Sequence, residues 1–527
     1  MKHTLFSNSI SSKLLQLVFL FSIPLLFVVQ TIDYINFGVD DVFISMRVAE
    51  NVAHGDGFVF NVGANVEGYS NPLWVAFLAL GALQGFNSSH GQFSLLWFAK
   101  GMSFFFGIGV LVLLFFIAKN LEDDSDTKIP LRLLVVLVAV SCGPFVLWCC
   151  GGLESTLSAF FLTLSIFIFQ NIRKQYSSGK RVFPLYHIFF SIILALAALT
   201  RPETILHAVS AIIFLFVLLR KKIRTKEMIF ITLPFLLIFT SFMIWRYFTY
   251  HDLLPNTFYA KTGGGLKSYI MSTKYLFGGV CMIGGPLMLA IPFAFLGRIS
   301  PLYKYCIVLV CVTFIFIIYS GGDWMAGYRF FIPVAPVFFL LIAVGIVQMI
   351  TYLKINHIFE SSGIIKIFLF ILLLSYSAAF AGRILIRGQI QTMTPGFGEI
   401  IGHSTPWHVE IGNWIHSHSD KPIVVATGEA GVMGYLNMSM KLIDLLGLMD
   451  KHIAYERKHN ISANENYVLD QKPDYILLYG YDAQSVILSN TRVGTDYYSA
   501  IACSRRFREE YHLEKNFISM SLFARNK

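Results

Sequence analysis

Apolar runs close to twenty residues long recur along most of the chain, with the polar residues gathered in the short stretches between them. The runs fall at 14–30, 93–118, 131–149, 153–170, 184–199, 203–220, 228–248, 275–297, 303–320, 330–353 and 364–381. Each is about long enough to cross the hydrocarbon core of a bilayer, so the pattern predicts about eleven membrane helices. A twelfth apolar stretch, 72–86, is too short to span with ease, and a span there would invert every later loop; it reads as an interfacial or dipping helix. Beyond residue 385 the texture changes. Short apolar runs at 422–427, 441–445 and 474–478 read as buried strands, separated by helical patterns at 407–417 and 429–436, an alternation that predicts a small α/β domain.

Composition and charge place these elements. With 55% hydrophobic and 14% charged residues and a mean hydropathy of +0.63, the 527-residue chain is too apolar for a soluble protein of this length. The net charge of +10 does not signal a nucleic-acid partner, because Lys and Arg sit in alternate short loops: Lys119/Lys128/Arg132, Arg173/Lys174/Lys180/Arg181, Arg220 to Lys226, Arg298/Lys304 and Lys354/Lys366, with Lys2 and Lys13 at the start. Those loops and the N-terminus are expected to be cytoplasmic. An odd helix count then puts everything after Arg383 on the other side. The expected organisation is a membrane domain over 1–385, with a first outer loop at 31–92, and an extracytoplasmic α/β domain over 386–527. Lys2 and Lys13 precede an apolar run as in a signal peptide, but no small-x-small cleavage site follows Gln30, so a retained first helix is expected. The seven cysteines give no disulfide framework and read as small core residues.

On this topology the outer loops hold the mixed polar chemistry. They contain Asp40 and Asp41 through Asn71, then Glu154, then Arg201 with Glu203, then His251 through Lys261, then Asp323 and Trp324 through Arg329. Charges kept at helix ends near hydrocarbon tend to be functional or paired; Arg201 with Glu203 could equally be a local ion pair beside Pro202. A cationic group made of Arg47, Arg201, Lys261 and Arg329 suits a phosphate or pyrophosphate whose lipid tail stays in the membrane. A nearby carboxylate suits a general base acting on a hydroxyl, and Asp40 and Asp41 are the candidates by position. On a helix their side chains point about 100° apart, so one faces the site while the other caps the first turn. Adjacent acids also suit a divalent cation, though no His or third acid is near in sequence and no metal is assigned.

A set of motifs carries a family resemblance. Asp40-Asp41-Val-Phe-Ile-Ser-Met-Arg47, His54-Gly55-Asp-Gly57 and Val66-Glu67-Gly68-Tyr69-Ser70-Asn71-Pro72 resemble the first outer loop of GT-C membrane glycosyltransferases, in the branch that includes the mycobacterial terminal arabinofuranosyltransferase. Gly152-Leu-Glu154, Thr200-Arg201-Pro202-Glu203, Leu254-Pro255-Asn256-Thr257-Phe-Tyr259-Ala-Lys261, Gly321-Gly322-Asp323-Trp324 with Gly327-Tyr328-Arg329, Gly431-Val-Met-Gly434-Tyr435 and Ile443-Asp444-Leu-Leu-Gly447 follow in the same order. The resemblance implies a GT-C fold, a polyprenyl-phosphate sugar donor, a glycan or glycolipid acceptor and an extracytoplasmic site in a bacterial inner membrane. It also implies an acidic residue of the first outer loop as the main catalytic group, here Asp40 or Asp41. His54, Glu67 and Asn71 would shape the donor pocket, and Arg201, Lys261 and Arg329 would contact phosphate. Arg47, Glu154, Glu203, His251, Asn256, Tyr259, Asp323 and Trp324 complete the expected substrate-binding set. The chain is rich in Ile, Phe and Lys, unlike a typical mycobacterial protein, so the sugar is not carried over, and a Gram-negative envelope glycan such as lipopolysaccharide is expected at least as readily as arabinan.

Three other readings use parts of the same sequence. A flippase for lipid-linked glycans would want charges along a midplane path, whereas here the charges sit at one face, with Lys100 the main exception. Thr427-Gly428-Glu429-Ala430-Gly431-Val432-Met433-Gly434 follows a strand as a nucleotide-binding turn would, but its spacing is GxxGxxG, which better suits a helix packed closely on its strand. The C-terminal domain could dock carbohydrate through Trp407, Trp414 or Tyr435, although core packing accounts for these aromatics as well.

Overall fold

The computed structural model describes residues 17, 20–122, 130–179, 183–220, 223–261, 266–296, 300–355, 374–375, 377–379, 381–387, 407–419, 421–456, 461–479, 497–517 and 520–526. The chain divides into two compact units. One comprises Met1–Phe37, Lys100–Ser241 and Gly264–Pro395; the other comprises Gly38–Ala99, Phe242–Gly263 and Gly396–Lys527. This differs from the division at residue 385, which followed the change in composition. Residues of the first loop and of 242–263 make their hydrogen bonds with the C-terminal residues, and contacts rather than hydropathy define the second unit.

Among the described residues six helices are long and apolar enough to cross a membrane: Ser94–Glu122, Ser155–Ser177, Thr225–Tyr250, Ser268–Phe295, Pro301–Ser320 and Arg329–Tyr352. The expected span at 131–149 is instead a broken pair, Leu131–Ser141 and Gly143–Cys149, bent by 77°. Cys142 is extended between the two pieces, at φ −82° and ψ 100°, and Pro144, in the first turn of the second, lacks the backbone donor that would continue the first helix. The expected spans at 184–199 and 203–220 form Pro184–Thr200 and Thr204–Leu219. At about 1.5 Å per residue these helices fall short of a hydrocarbon core of about 30 Å. Leu20–Tyr34 occupies the expected first span, and the expected span at 364–381 lies largely outside the described residues. The chain is a multi-pass membrane protein, and among the described residues fewer helices reach full span length than its hydropathy suggests.

The helices of the first unit differ in what they bury. Arg329–Tyr352 is 94% buried over its most apolar stretch. Thr225–Tyr250, which runs on into the second unit, is only 11% buried and turns Leu233, Leu236 and Leu237 outward, as a lipid-facing helix would. Cys281 and Cys311 are exposed on such helices, correcting the expectation that the cysteines are core residues; Cys142, Cys149, Cys150 and Cys306 are buried. Pro301–Ser320 begins with Ser300, whose Oγ accepts the Tyr303 N–H at 3.4 Å, and ends at Gly321, whose φ of +84° lets the chain turn out of the helix. Lys100, the exception among the charges, is buried, and its Nζ donates to the carbonyls of Ile35 at 3.0 Å, Cys150 at 2.8 Å and Phe37. Its three protons thus have three acceptors, which is how a cation survives there.

In the second unit, Asp40–His54 forms an amphipathic helix with two acids in its first turn and His54 in its last, placements that suit the helix dipole. Gly55 ends it at φ +90°. Pro72–Leu83, opened by Pro72, packs against it. The short apolar runs of the C-terminal region form strands β1 (Val424–Thr427), β2 (Lys441–Asp444) and β3 (Tyr475–Tyr479), which are parallel to one another. Strands β4 (Tyr511–Asn516) and β5 (Met520–Arg525) form an antiparallel hairpin beside β3, giving the order β2-β1-β3-β5-β4. The hairpin was missed in the sequence because β4 is mostly exposed, and its polar residues give no apolar run to detect. Trp407–Ser417 forms the helix preceding β1, and Gly431–Leu436 follows it.

Candidate functional site

Asp40 opens its helix and is buried, 6% exposed. Its Oδ2 accepts the Gly431 N–H and its Oδ1 the Val432 N–H, both at 2.7 Å. The carboxylate therefore closes the start of the Gly431–Leu436 helix, whose first backbone donors have no partner of their own. A side chain on Gly431 would come within 2.5 Å of the Asp40 carboxyl, and one on Gly434 would meet Phe60 at 2.6 Å and Arg47 at 3.1 Å. These glycines admit the first-loop helix, which corrects the expectation that they serve packing on the strand. Burial, and then the charge of Glu429, push the Asp40 carboxyl up to about 8, against the pull of the two N–H groups. Glu429 in turn accepts hydrogen bonds from His408 Nε2 at 3.3 Å and from the Tyr479 hydroxyl. Burial pushes His408 down to about 4, so it is a neutral imidazole at physiological pH. Asp41 is half-buried beside Asp40.

Most other first-loop candidates are engaged within the same unit. Arg47 is 1% exposed and donates to the carbonyls of Phe60 at 2.8 Å, Gly434 at 2.6 Å and Met440 at 2.6 Å, with its guanidinium 4.4 Å from the Phe60 ring. Its fork binds protein backbone, so the expectation of an open cation for substrate is corrected. Glu67 is buried against Arg246, with Nη2 to Oε1 at 2.9 Å and Nε to Oε2 at 2.8 Å. Asn71 lies 3.2 Å from the Ser45 hydroxyl. Asn256 donates to the carbonyls of Gly447 at 2.8 Å and Leu448 at 2.9 Å, and its N–H reaches the Glu67 carbonyl at 3.0 Å. The motifs at 66–72, 254–261 and 443–450 are thereby tied to one another. Asp444 serves its own turn, accepting the N–H groups of Leu446 and Met449, while burial pushes its carboxyl up to about 6. Tyr259 stacks on Tyr455 at 4.8 Å. His54, His251 and Lys261 are exposed, and His251 sits at φ +55°.

The first unit gathers the remaining candidates. Arg201 lies between Glu154, at 2.7 Å, and Glu203, and Arg329 pairs with Asp323 at 2.8 Å. Both guanidiniums approach the Phe330 ring, at 5.2 and 5.5 Å. The local ion pair considered for Arg201 and Glu203 is thus present and is joined by Glu154. A phosphate reaching either arginine would compete with a buried carboxylate already in place. Beside this network is a cavity of about 430 Å³ lined by Lys274, Tyr275, Gly321, Gly322, Asp323, Trp324 and Tyr328 among others. Trp324 is 47% exposed and Lys274 is exposed.

Sequence reasoning missed Lys274, Arg246 and the Glu429–His408–Tyr479 group. The first two were legible as lone cations beside or inside apolar runs, the signal that marks function or pairing in membrane segments. The third was not, because its members are 21 and 50 residues apart. Among the described residues no group of three or more His, Cys, Asp and Glu could hold a metal ion.

Comparison with known proteins finds one partial family match and several similar folds. A family model described as a domain of unknown function (DUF8728) matches residues 398–526. No curated protein matches the sequence. Among solved structures, the chain is similar to ArnT from Cupriavidus metallidurans bound to undecaprenyl phosphate, with a TM-score of 0.58 at 11% identity, covering 96% of this chain and 97% of that one. It is also similar to the Archaeoglobus fulgidus oligosaccharyltransferase in its apo form, with a TM-score of 0.58 at 11% identity, covering 91% of this chain and 72% of that one. The same oligosaccharyltransferase, AglB, in complex with an inhibitory peptide and a dolichol-phosphate gives a TM-score of 0.54 at 12% identity, covering 88% and 71%. At these identities the likeness is one of fold alone.

Proposed function

We propose that this protein is a glycosyltransferase that moves a sugar from a polyprenyl-phosphate donor to a cell-envelope glycan or lipid acceptor. It would act at the outer face of a bacterial inner membrane, with a first-loop aspartate as general base. The observation that carries this reading is the GT-C fold over nearly the full length of both chains, in a comparison structure bound to undecaprenyl phosphate. Sequence motifs of the arabinofuranosyltransferase branch point the same way, and an acceptor of the lipopolysaccharide class fits the chain's composition at least as well as arabinan.

In the proposed reaction an acceptor hydroxyl gives its proton to Asp40 or Asp41 as its oxygen bonds to the anomeric carbon. The bond from that carbon to the phosphate oxygen breaks, and polyprenyl phosphate leaves with the electron pair. A positioned base contributes typically about 10²- to 10⁴-fold to such a step. Developing charge on the leaving phosphate calls for a cation that no carboxylate has already claimed. Within the first unit, Lys274 lines a cavity with Tyr275, Trp324 and Tyr328 and supports a phosphate contact better than Arg201 or Arg329, which face carboxylates. Aromatic walls of this kind also suit the faces of a sugar ring. Lys261, exposed at the end of Asn256–Lys261, is a second candidate.

The test is mass spectrometry of envelope glycans from a deletion strain and its complemented derivatives. Loss of one sugar, restored by the wild-type chain, is expected; an unaltered glycan and glycolipid profile would overturn the reading.

A further inference from the structure

The C-terminal segment 398–526 matches a family without an assigned function, yet its first turn after β1 reaches the proposed base. Asp40 is held by the N–H groups of Gly431 and Val432, and Glu429 lies two residues before that contact. The Glu429 carboxylate is itself fixed from two other elements, by His408 in Trp407–Ser417 and by Tyr479 at the end of β3. Glu429 is half-buried, His408 is buried, and the charged neighbours acting on Asp40 are Glu429 and its own neighbour Asp41. Pro72–Leu83, which packs on the Asp40 helix, brings no titratable residue, and Gly431–Leu436 brings only Tyr435, which donates to Glu50 at 2.6 Å. Arg47, on the same helix as Asp40, is committed to backbone carbonyls.

We infer that Glu429 is a positioning residue for Asp40: anchored by His408 and Tyr479 on the turn whose N–H groups hold Asp40, its carboxylate lets the C-terminal segment tune the first-loop base. This rests on the proposed transferase reading with Asp40 as the base. Burial works against the Glu429 charge, but the hydrogen bonds from His408 and Tyr479 outweigh it and hold that carboxyl below its usual range. Burial first, and the Glu429 charge after it, push Asp40 up to about 8, so the proton resides there. Two carboxylates that cannot both ionise freely separate into one charged and one protonated group. A base whose proton affinity lies near the working pH is also the most effective one. With Glu429 neutral, burial would still hold Asp40 up, but its carboxyl would fall part of the way and its role would extend to more acidic conditions.

The experiment uses the full-length protein in membranes of the deletion strain, with that strain's own polyprenyl-phosphate sugar fraction as donor and its truncated envelope glycan as acceptor. Product is followed by mass spectrometry across pH. For Glu429→Gln the acidic limb of the activity profile is expected to move to lower pH by roughly one unit or more. Glu429→Asp, which keeps the charge, is expected to leave the limb nearer the wild-type position. An unmoved limb in Glu429→Gln overturns the inference. Should that variant fail to accumulate, Tyr479→Phe decides: it removes one of the two hydrogen bonds that hold the Glu429 charge, so a limb shifted toward lower pH supports the inference and an unmoved limb overturns it. A second readout needs no substrate. Purified in detergent, the wild-type protein is expected to lose thermal stability relative to Asp40→Asn as pH rises through about 8. In Glu429→Gln that difference is expected to move to lower pH, and its persistence at the wild-type pH also overturns the inference. Full transfer activity in Asp40→Asn would instead remove the reading on which the inference rests.

Discussion

Replacing Arg47 with methionine tests whether this side chain is a strut of the second unit or a contact for substrate. In the structure it is 1% exposed and makes three short hydrogen bonds, at 2.8, 2.6 and 2.6 Å, to the carbonyls of Phe60, Gly434 and Met440. Methionine preserves much of the apolar stem and its contact with the Phe60 ring but leaves three buried acceptors without that donor. Each such orphan costs about 1–3 kcal/mol, offset in part because a buried cation no longer has to be desolvated, so a net loss of about 3–5 kcal/mol is expected. That is a large share of a typical stability of about 5–15 kcal/mol, and each 1.4 kcal/mol is roughly tenfold in an opening equilibrium. The assay is limited proteolysis of the detergent-purified protein. Cleavage between the first loop and the C-terminal strands is expected to accelerate by about 10²- to 10³-fold in Arg47→Met. Arg47→Lys, with a charge but no fork, should fall between the two. A wild-type cleavage rate in Arg47→Met combined with weakened donor binding would refute the strut and restore the substrate contact.

Three further outcomes are expected. Gly431→Ala would place a methyl group 2.5 Å from the Asp40 carboxyl, so the chain should lose thermal stability and transfer activity together, whereas Gly55→Ala, at an open turn, should cost stability alone. Lys274→Met should weaken binding of a polyprenyl-phosphate sugar by roughly tenfold or more while leaving unfolding unchanged, as a titration against wild type would show. Because the fold favours the protonated form of Asp40, the stability this group contributes is complete below the ordinary carboxylate range and is lost as pH rises through about 8; Asp40→Asn should accordingly flatten the decline in melting temperature on the alkaline side.

Sequence carried the fold class well because membrane crossing is written in composition. Apolar runs locate ten of the eleven expected segments among described helices, but hydropathy alone does not distinguish a 29-residue span such as Ser94–Glu122 from a 16-residue helix such as Thr204–Leu219. Nor does it show the 77° bend beside Pro144, because the run stays apolar through it. Strands β1 to β3 were legible as short apolar runs, whereas β4, with Leu513 exposed among polar neighbours, was not. At the site, residue types were legible and, apart from the Arg201–Glu203 pair, their partners were not. Arg47, Arg201 and Arg329 have the chemistry of phosphate contacts, yet each has a closer partner supplied by residues six to 393 positions away: Asp323 for Arg329, Glu154 for Arg201, and Met440 for Arg47. Asp40 shows the same limit. Its side chain closes a helix, but the helix is Gly431–Leu436, not its own.

The central claim is a sugar transfer that depends on a first-loop carboxylate, and the most direct measurement of it is the envelope glycan of a deletion strain complemented with wild type, Asp40→Asn or Asp41→Asn. The account predicts that the wild-type chain restores a missing sugar and that at least one aspartate variant, present in the membrane at wild-type level and equally resistant to protease, restores none. Full restoration by both variants would contradict it.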